Sequence, residues 1–223
     1  PNADYRFEEC EFINDAPLAD TSTYNGEGMD AFIVAINSGT ITMRGNTYIN
    51  SYNFPFFQKG TGIRSYNSTI RVLPKYISKG PIPQQGGGNI PIDKKNIFQD
   101  LTKGIDHYSL GGLAHIEVDN AEFSDIVLGI TSNGSNFDKI TNNSFTVQTV
   151  FIKFWLGYGI YMYNCSGYEV SENTISTSSF GFAKSFGIVG RNTTALGPTG
   201  LIYNNTIDSA TIATQLEGNN PLT

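Results

Sequence analysis

One short pattern recurs along the chain and constrains its fold more than any other feature. The pattern is an apolar residue, two further residues, a small or amide residue, one residue and a second apolar residue, as in Val170, Asn173 and Ile175. It returns after 22 to 50 residues, and in the third unit its first position is Asp93 instead of an apolar residue. Its small or amide position is occupied in turn by Cys10, Asn46, Asn96, Ala121, Asn143, Asn173 and Asn205.

The dipeptide Gly-Ile is a second repeated element, and it divides the chain into the same units. Apolar and polar residues alternate with period two within each unit, which is typical of β-strands, and no helical period is kept. Because the shortest units have only 22 to 25 residues, they cannot bury their own apolar face, whereas stacked units can. The dipeptide begins at Gly62, Gly104, Gly129, Gly159 and Gly187.

Stacking of such units predicts an all-β fold. The prediction is a right-handed parallel β-helix, a solenoid of about seven coils, in which residues 1–223 form one domain. Apolar residues at alternating positions would point inward, as at Ile116 and Val118. Outward positions on successive coils would pair opposite charges, as in the column Glu117, Lys139 and Glu169.

The asparagines of the repeated pattern are expected at the corners between strands. Asparagine tolerates a left-handed backbone, and its amide can bond to the amides above and below it. Cys10 replaces asparagine in the first coil, and it lies several coils from Cys165, which is too far for a disulfide. We therefore predict two free thiols and a structural ladder of Asn46, Asn96, Asn143, Asn173 and Asn205.

These Asn-x-Phe and Gly-Ile columns resemble the right-handed β-helix superfamily that includes the pectate lyases. They are most similar to the repeat domains of large bacterial secreted and cell-surface proteins, and the resemblance covers nearly the whole chain. It implies an exported protein, secreted or held at the bacterial cell surface, with polysaccharides or other surface and secretion proteins as partners. Because the chain starts at Pro1 and ends without a closing element, we expect it to continue into further domains of a longer protein.

The charge of the chain argues against nucleic-acid binding, and its hydropathy argues against a membrane span. The chain has 14 Lys and Arg against 20 Asp and Glu, a net charge of −6, and no basic run, which argues against nucleic-acid binding. The longest apolar stretch, residues 150–163, is interrupted by Lys153 and two glycines, so no membrane span is expected.

Insertions after the asparagine position are rich in aromatic residues and fall on the second, fifth and sixth coils. Loops rising on either side of the bare third and fourth coils would leave a trough about 14 Å wide. Such a trough suits a sugar chain, which stacks on aromatic faces, although aromatic loops also fold down to cover apolar surface. The residues expected to bind a ligand are Phe56, Phe57, Phe154, Trp155 and Tyr158.

Asp100 and Asp125 form a candidate pair on the floor of this trough. Each lies four residues after the small or amide position of adjacent coils, so their side chains are expected about 5 Å apart, with Lys103 nearby. Two carboxylates so close favour protonation of one of them or recruit a cation such as Ca²⁺. Paired-carboxylate catalysis and a solvated acidic corner with Lys103 are the alternatives. Asp106 and His107 are a weaker acid–base candidate.

Two functions remain open at this point. The first is a non-catalytic β-helical module of an exported bacterial cell-surface or secreted protein, which acts as a spacer or binds a glycan or partner. The second is a polysaccharide lyase or glycoside hydrolase that acts in the groove over the third and fourth coils, with Asp100, Asp125 and Lys103 as candidate catalytic residues. The acidic clusters, arginine and Gly-His-Gly patterns typical of pectin-degrading relatives are not recognisable here.

Overall fold

The computed structural model describes residues 3–14, 31–51, 59–78, 91–149, 157–178, 184–191 and 200–218. These residues form strands and turns with no helix among them, and so none that is long and apolar enough to cross a membrane. The prediction of an all-β chain is confirmed for this part. The strands are β1 (Asp4–Glu8), β2 (Glu11–Asn14), β3 (Ala31–Arg44), β4 (Thr47–Asn50), β5 (Thr61–Leu73), β6 (Lys75–Ser78), β7 (Pro91–Lys94), β8 (Ile97–Gln99), β9 (Lys103–Tyr108), β10 (Ile116–Asp119), β11 (Glu122–Ile126), β12 (Leu128–Asn133), β13 (Lys139–Thr141), β14 (Ser144–Gln148), β15 (Gly157–Tyr163), β16 (Glu169–Ser171), β17 (Thr174–Ser178), β18 (Ser185–Arg191), β19 (Leu201–Tyr203), β20 (Thr206–Asp208) and β21 (Ile212–Glu217).

Parallel pairing arranges these strands in three rows. The first row contains β1, the second halves of β3 and β5, and then β10, β13, β16 and β19. The second row contains β2, β4, β8, β11, β14, β17 and β20. The third row contains the first halves of β3 and β5, and then β9, β12, β15, β18 and β21. The chain passes through the first, second and third rows in turn before it returns to the first.

The core lies between the three rows. Ile116 and Val118 of the first row are fully buried, as predicted, and so are the aromatic and aliphatic side chains that face them. In the second row the rings of neighbouring strands stack nearly parallel, with centroids 4.6 to 4.9 Å apart. This distance equals the spacing of adjacent strands, so each ring covers the next. The stacked rings belong to Phe12, Tyr48, Phe98, Phe123 and Phe145.

A line of hydrogen-bonded asparagines runs along the corner between the first and second rows. The side-chain oxygen of Asn173 accepts from the backbone N–H of Asn143 at 3.0 Å, and that of Asn205 accepts from the N–H of Asn173 at 3.0 Å. Each side-chain N–H₂ donates to a carbonyl at the end of a first-row strand, as Asn173 does to Ile140 at 2.9 Å. Asn46 takes the same place next to Cys10, whose N–H donates to it at 2.8 Å.

The left-handed residue at this corner is not the buried asparagine but the residue before it. Among the described residues these neighbours, with one exception, have φ between 50° and 62°, whereas the buried asparagines do not have positive φ. The expectation that asparagine stands in this line for its left-handed tolerance was therefore wrong, since hydrogen bonding explains its place. The left-handed residues that precede the repeated position are Glu9, Gly45, Asn120, Asn142, Glu172 and Asn204, whereas Lys95, before Asn96, does not have positive φ.

The third unit differs from its prediction. Val72, and not Asp93, occupies the first position, because Val72 pairs with Met43 on one side and Val118 on the other. Residues 73–91 were expected to be a surface loop, but β6 and β7 at its two ends pair as an antiparallel hairpin. The inserted segment therefore leaves the register of the rows intact.

The charged column of the first row and the two thiols agree with prediction. Lys139 lies in register with Glu117 and Glu169, and its Nζ is 4.0 Å from a carboxylate oxygen of Glu169. Both Cys10 and Cys165 are free thiols.

Candidate functional site

The structure describes only part of the aromatic set predicted to bind a ligand. Phe56, Phe57, Phe154 and Trp155 lie outside the described residues. Tyr158 is described and belongs to β15, where it faces the outer surface of the third row. Its ring stacks on Phe186 with centroids 5.1 Å apart and meets Tyr161 edge to face at 5.3 Å.

Asp100 and Asp125 occupy equivalent places on neighbouring strands of the second row. Both have a left-handed backbone, with φ of 57° and 54°, and the N–H of Asp100 donates to the carbonyl of Ser124 at 3.0 Å. Their carboxylates have different partners, however. Asp100 forms an ion pair with Lys59, and Asp125 accepts a hydrogen bond from the side-chain amide of Gln148 at 2.7 Å.

Lys103 does not serve as the partner of this pair. Its Nζ donates to Asp106 at 2.8 Å, on the outer face of the third row. The described residues contain no group of three or more His, Cys, Asp and Glu placed to hold a metal ion. Because Ca²⁺ takes six to eight oxygen ligands, Asp100 and Asp125 together supply only part of a calcium site.

Asp106 and His107 point to opposite faces of β9, as successive residues of a strand must. Asp106 is half-buried on the outer face, whereas His107 is 2% exposed and lies inside, with its Nδ1 3.2 Å from the hydroxyl of Ser65. Burial lowers the pKa of His107, while the negative charge of Asp138 acts against this shift. The imidazole of His107 therefore does not share the outer face with the carboxylate of Asp106, although both residues border the groove described below.

A groove of about 310 Å³ lies on the outer face of the third row. Its central strands are β12 and β15, which pair in parallel and place their outward residues side by side. Leu128, Thr131 and Asn133 of β12 lie opposite Tyr158, Tyr161 and Tyr163 of β15, respectively. The β15 side of the groove is thus aromatic, whereas the β12 side has the polar Thr131 and Asn133 next to the apolar Leu128.

Charged residues close the two ends of the groove. At one end Asp106 accepts hydrogen bonds from Thr131 at 2.6 Å and Lys103 at 2.8 Å, and Arg64 lies 3.8 Å away. At the other end Arg191 lies beside Tyr163 and forms an ion pair with Glu217 at 2.6 Å. The lining of the groove thus comes from β9, β12, β15 and β18, and Arg64 of β5 and Glu217 of β21 flank it.

Tyr158 is the tyrosine of the groove that the sequence identified. Burial raises the pKa of Tyr158, while the positive charge of Arg191 acts against this shift, so the phenol remains protonated at neutral pH. Tyr161, Tyr163, Thr131 and Asn133 were missed. The signal that could have found them is their position among the residues just after the Gly-Ile dipeptide, where alternation turns side chains outward.

A second, wider groove of about 620 Å³ lies on the outer face of the first row. Its lining combines the hydroxyl groups of Thr40, Thr42 and Thr69 with charged side chains of both signs, among them Arg44 and Arg71, so it is polar. Arg71 forms an ion pair with Glu117 at 2.7 Å, and Arg44 donates to the carbonyl of Pro74 at 3.0 Å.

Comparison with protein-family models, with curated proteins and with solved structures gives no match. The functional argument therefore depends on the geometry of the two grooves. Of these, the groove of the third row combines aromatic rings with half-buried charged and hydrogen-bonding side chains, which are the properties of a small-ligand site.

Proposed function

We propose that the chain is a right-handed parallel β-helix of seven coils and that it acts as a non-catalytic glycan-binding module of an exported bacterial cell-surface or secreted protein. Each proposed coil contributes one strand to each row, since the chain visits the three rows in a fixed order. In this fold the asparagine line is a structural ladder along one corner. Its side-chain hydrogen bonds join each coil to the next one, in addition to the backbone hydrogen bonds between neighbouring strands.

The observation that carries glycan binding is the strip of three tyrosines along β15 beside the polar side chains of β12. Sugars present apolar C–H faces and a rim of hydroxyl groups. The faces of Tyr158, Tyr161 and Tyr163 suit the former, because an aromatic ring covers apolar surface with little conformational entropy to lose. Thr131 and Asn133 carry donors and acceptors that suit the latter.

Charged side chains with fixed positions at the ends of the groove would orient a bound sugar. Asp106 is held by Thr131 and Lys103, so its position does not depend on a ligand. A hydrogen bond from a sugar hydroxyl to a carboxylate is stronger than one between neutral groups. A site built on strands and prearranged in this way loses less free energy on binding than a flexible loop does.

The catalytic alternative depended on Asp100 and Asp125 as a free pair in the floor of a trough. Both carboxylates already have partners in Lys59 and Gln148, and neither residue lines the groove of the third row. Non-catalytic binding is accordingly the function that the described geometry supports best.

A polysaccharide panel tests this proposal. The purified chain is assayed for retention on immobilised glycans and for release of reducing ends, with and without Ca²⁺. We expect binding without cleavage, and we expect the Tyr161→Ala variant to bind about tenfold more weakly, as loss of one stacking contact predicts. Tyr76, an exposed tyrosine of β6 outside the groove, gives the control Tyr76→Ala, which should bind as the wild type does. Cleavage that Asp100→Asn/Asp125→Asn abolishes would favour the enzyme instead.

A further inference from the structure

We infer that the groove of the third row selects an uncharged, hydroxyl-rich glycan over an acidic one. This inference rests on the proposed glycan-binding function and specifies its ligand class. The observation behind it is the way in which the charged side chains of the groove are paired.

Both cationic side chains in the groove lining have a carboxylate partner on the same face, and Arg64, at the edge of the groove, lies 3.8 Å from the carboxylate that Lys103 contacts. Lys103 donates to Asp106 at 2.8 Å, and the Nε of Arg191 lies 2.6 Å from Glu217. An acidic sugar would have to displace one of these carboxylates to reach a cation. It would then leave that carboxylate without its partner in a half-buried place, which is costly.

Asp106 also places negative charge where a sugar would lie. Its carboxylate is fixed by Thr131 at 2.6 Å and is half-buried on β9, with β12 between it and the tyrosine strip. A uronate or sulfate group bound beside it would be repelled, and the net charge of −6 on the chain adds a weaker repulsion at long range. Such repulsion is an ordinary means of rejecting the wrong partner.

An uncharged sugar meets neither obstacle. Its hydroxyls can donate to the remaining lone pairs of Asp106 while the contacts with Lys103 and Thr131 stay in place. The amide of Asn133 and the phenol groups of Tyr161 and Tyr163 add further donors and acceptors around it. The charged pairs of the groove thus act as fixed hydrogen-bonding groups and do not serve as binding sites for an anion.

The wild-type chain provides the first test. Isothermal titration calorimetry compares neutral oligosaccharides (gluco-, xylo- and manno-hexasaccharides) with a uronate hexasaccharide at about 50 and about 200 mM salt. We expect a neutral oligosaccharide to bind with an affinity that salt leaves unchanged, and the uronate to bind at least about tenfold more weakly. Tighter binding of the uronate, weakened by salt, would overturn the inference but leave glycan binding standing. If no glycan binds, the proposed function fails and the inference fails with it.

A charge-removing variant provides the second test. Asp106→Asn keeps the shape of the side chain but frees Lys103 from its carboxylate, so we expect weaker binding of the neutral sugar and stronger binding of the uronate. Asp119 gives a matched control: it too is half-buried, it accepts a hydrogen bond from Thr141 at 2.9 Å, and it lies outside the groove. Asp119→Asn should leave both affinities unchanged. An Asp106→Asn variant that melts normally and keeps the wild-type preference would contradict the inference.

Discussion

Gly104 lies directly against the ring of Phe123. A Cβ added to Gly104 would be 2.6 Å from Cδ1 of Phe123 and 2.6 Å from the carbonyl oxygen of Gly129. Gly62 has the same relation to Phe98, which sits one strand earlier in the second row. Glycine is needed at this position of the Gly-Ile repeat because a second-row side chain and a carbonyl oxygen of the next strand fill the space that a third-row side chain would need; the second-row side chain is a phenylalanine ring at Gly62, Gly104 and Gly129 and an isoleucine at Gly159 and Gly187.

Replacing Gly104 by alanine should therefore destabilise the fold strongly. The added methyl group meets backbone and a packed ring, neither of which can move without disturbing the neighbouring strands. We expect a loss of about 3 kcal/mol in the free energy of unfolding, measured by urea denaturation. Gly111→Ala is the control, because nothing lies within 4 Å of that position, although its φ of 68° makes alanine cost about 1 kcal/mol. Equal losses at the two positions would contradict this account of the repeat.

The repeat could be predicted from the sequence because stacked units need the same kinds of residue at equivalent positions. Asn173 and Gly104 were therefore placed correctly relative to their neighbours. The groove was not readable, because it depends on which distant segments become adjacent. Asp106 and Thr131 are separated by 25 residues yet share a hydrogen bond, and the sequence offered Asp100 as an equally good partner for Lys103.

Loss of the Asn173 side chain should cost more than a single surface hydrogen bond. Its oxygen accepts from the backbone and side chain of Asn143, both at 3.0 Å, and its N–H₂ donates to the carbonyl of Ile140 at 2.9 Å. Asn173→Ala leaves these buried groups without partners, so we expect about 2 to 4 kcal/mol of destabilisation in chemical unfolding. Asn173→Asp, which has the same size but lacks the donors, should be at least as unstable. A change below about 0.5 kcal/mol for both variants would show that the line of asparagines is not structural.

Burial of His107 should make stability depend on pH. Burial lowers the folded-state pKa of His107 from its ordinary value of 6.5, against the opposing charges of Asp138 and Asp106, while His115 acts in the same direction as burial. The folded protein then binds fewer protons than the unfolded chain below pH 6.5. Stability is therefore complete above this pH and falls as the pH drops from 6.5 toward the folded-state pKa.

Melting temperatures recorded over this pH range check the effect of His107. His107→Gln should flatten the decline, because glutamine does not titrate, whereas His115→Gln should keep most of it. Each variant is compared with itself at neutral pH, so that a general loss of stability does not enter the result. A decline that is as steep in His107→Gln as in the wild type would assign the pH dependence to other groups.

Phe137 is held in a conformation that suits glycine. Its φ is 66° and the residue is 59% exposed, while the equivalent residue in the turn between β15 and β16 is Gly167, with φ of 61°. A left-handed backbone costs a residue with a side chain about 1 to 2 kcal/mol, whereas glycine pays about 0.5 to 1 kcal/mol in entropy. We therefore expect Phe137→Gly to stabilise the fold by up to about 1 kcal/mol in urea denaturation.

Phe137→Ala separates backbone strain from loss of the ring. Alanine removes the same aromatic surface but keeps the left-handed penalty, so this variant should be no more stable than the wild type. A stable Phe137→Gly together with an unchanged or weaker Phe137→Ala would show that the strain lies in the backbone. If instead both variants lose stability by the same amount, the contacts of the Phe137 ring outweigh the backbone strain. The ring would then stabilise the turn between β12 and β13.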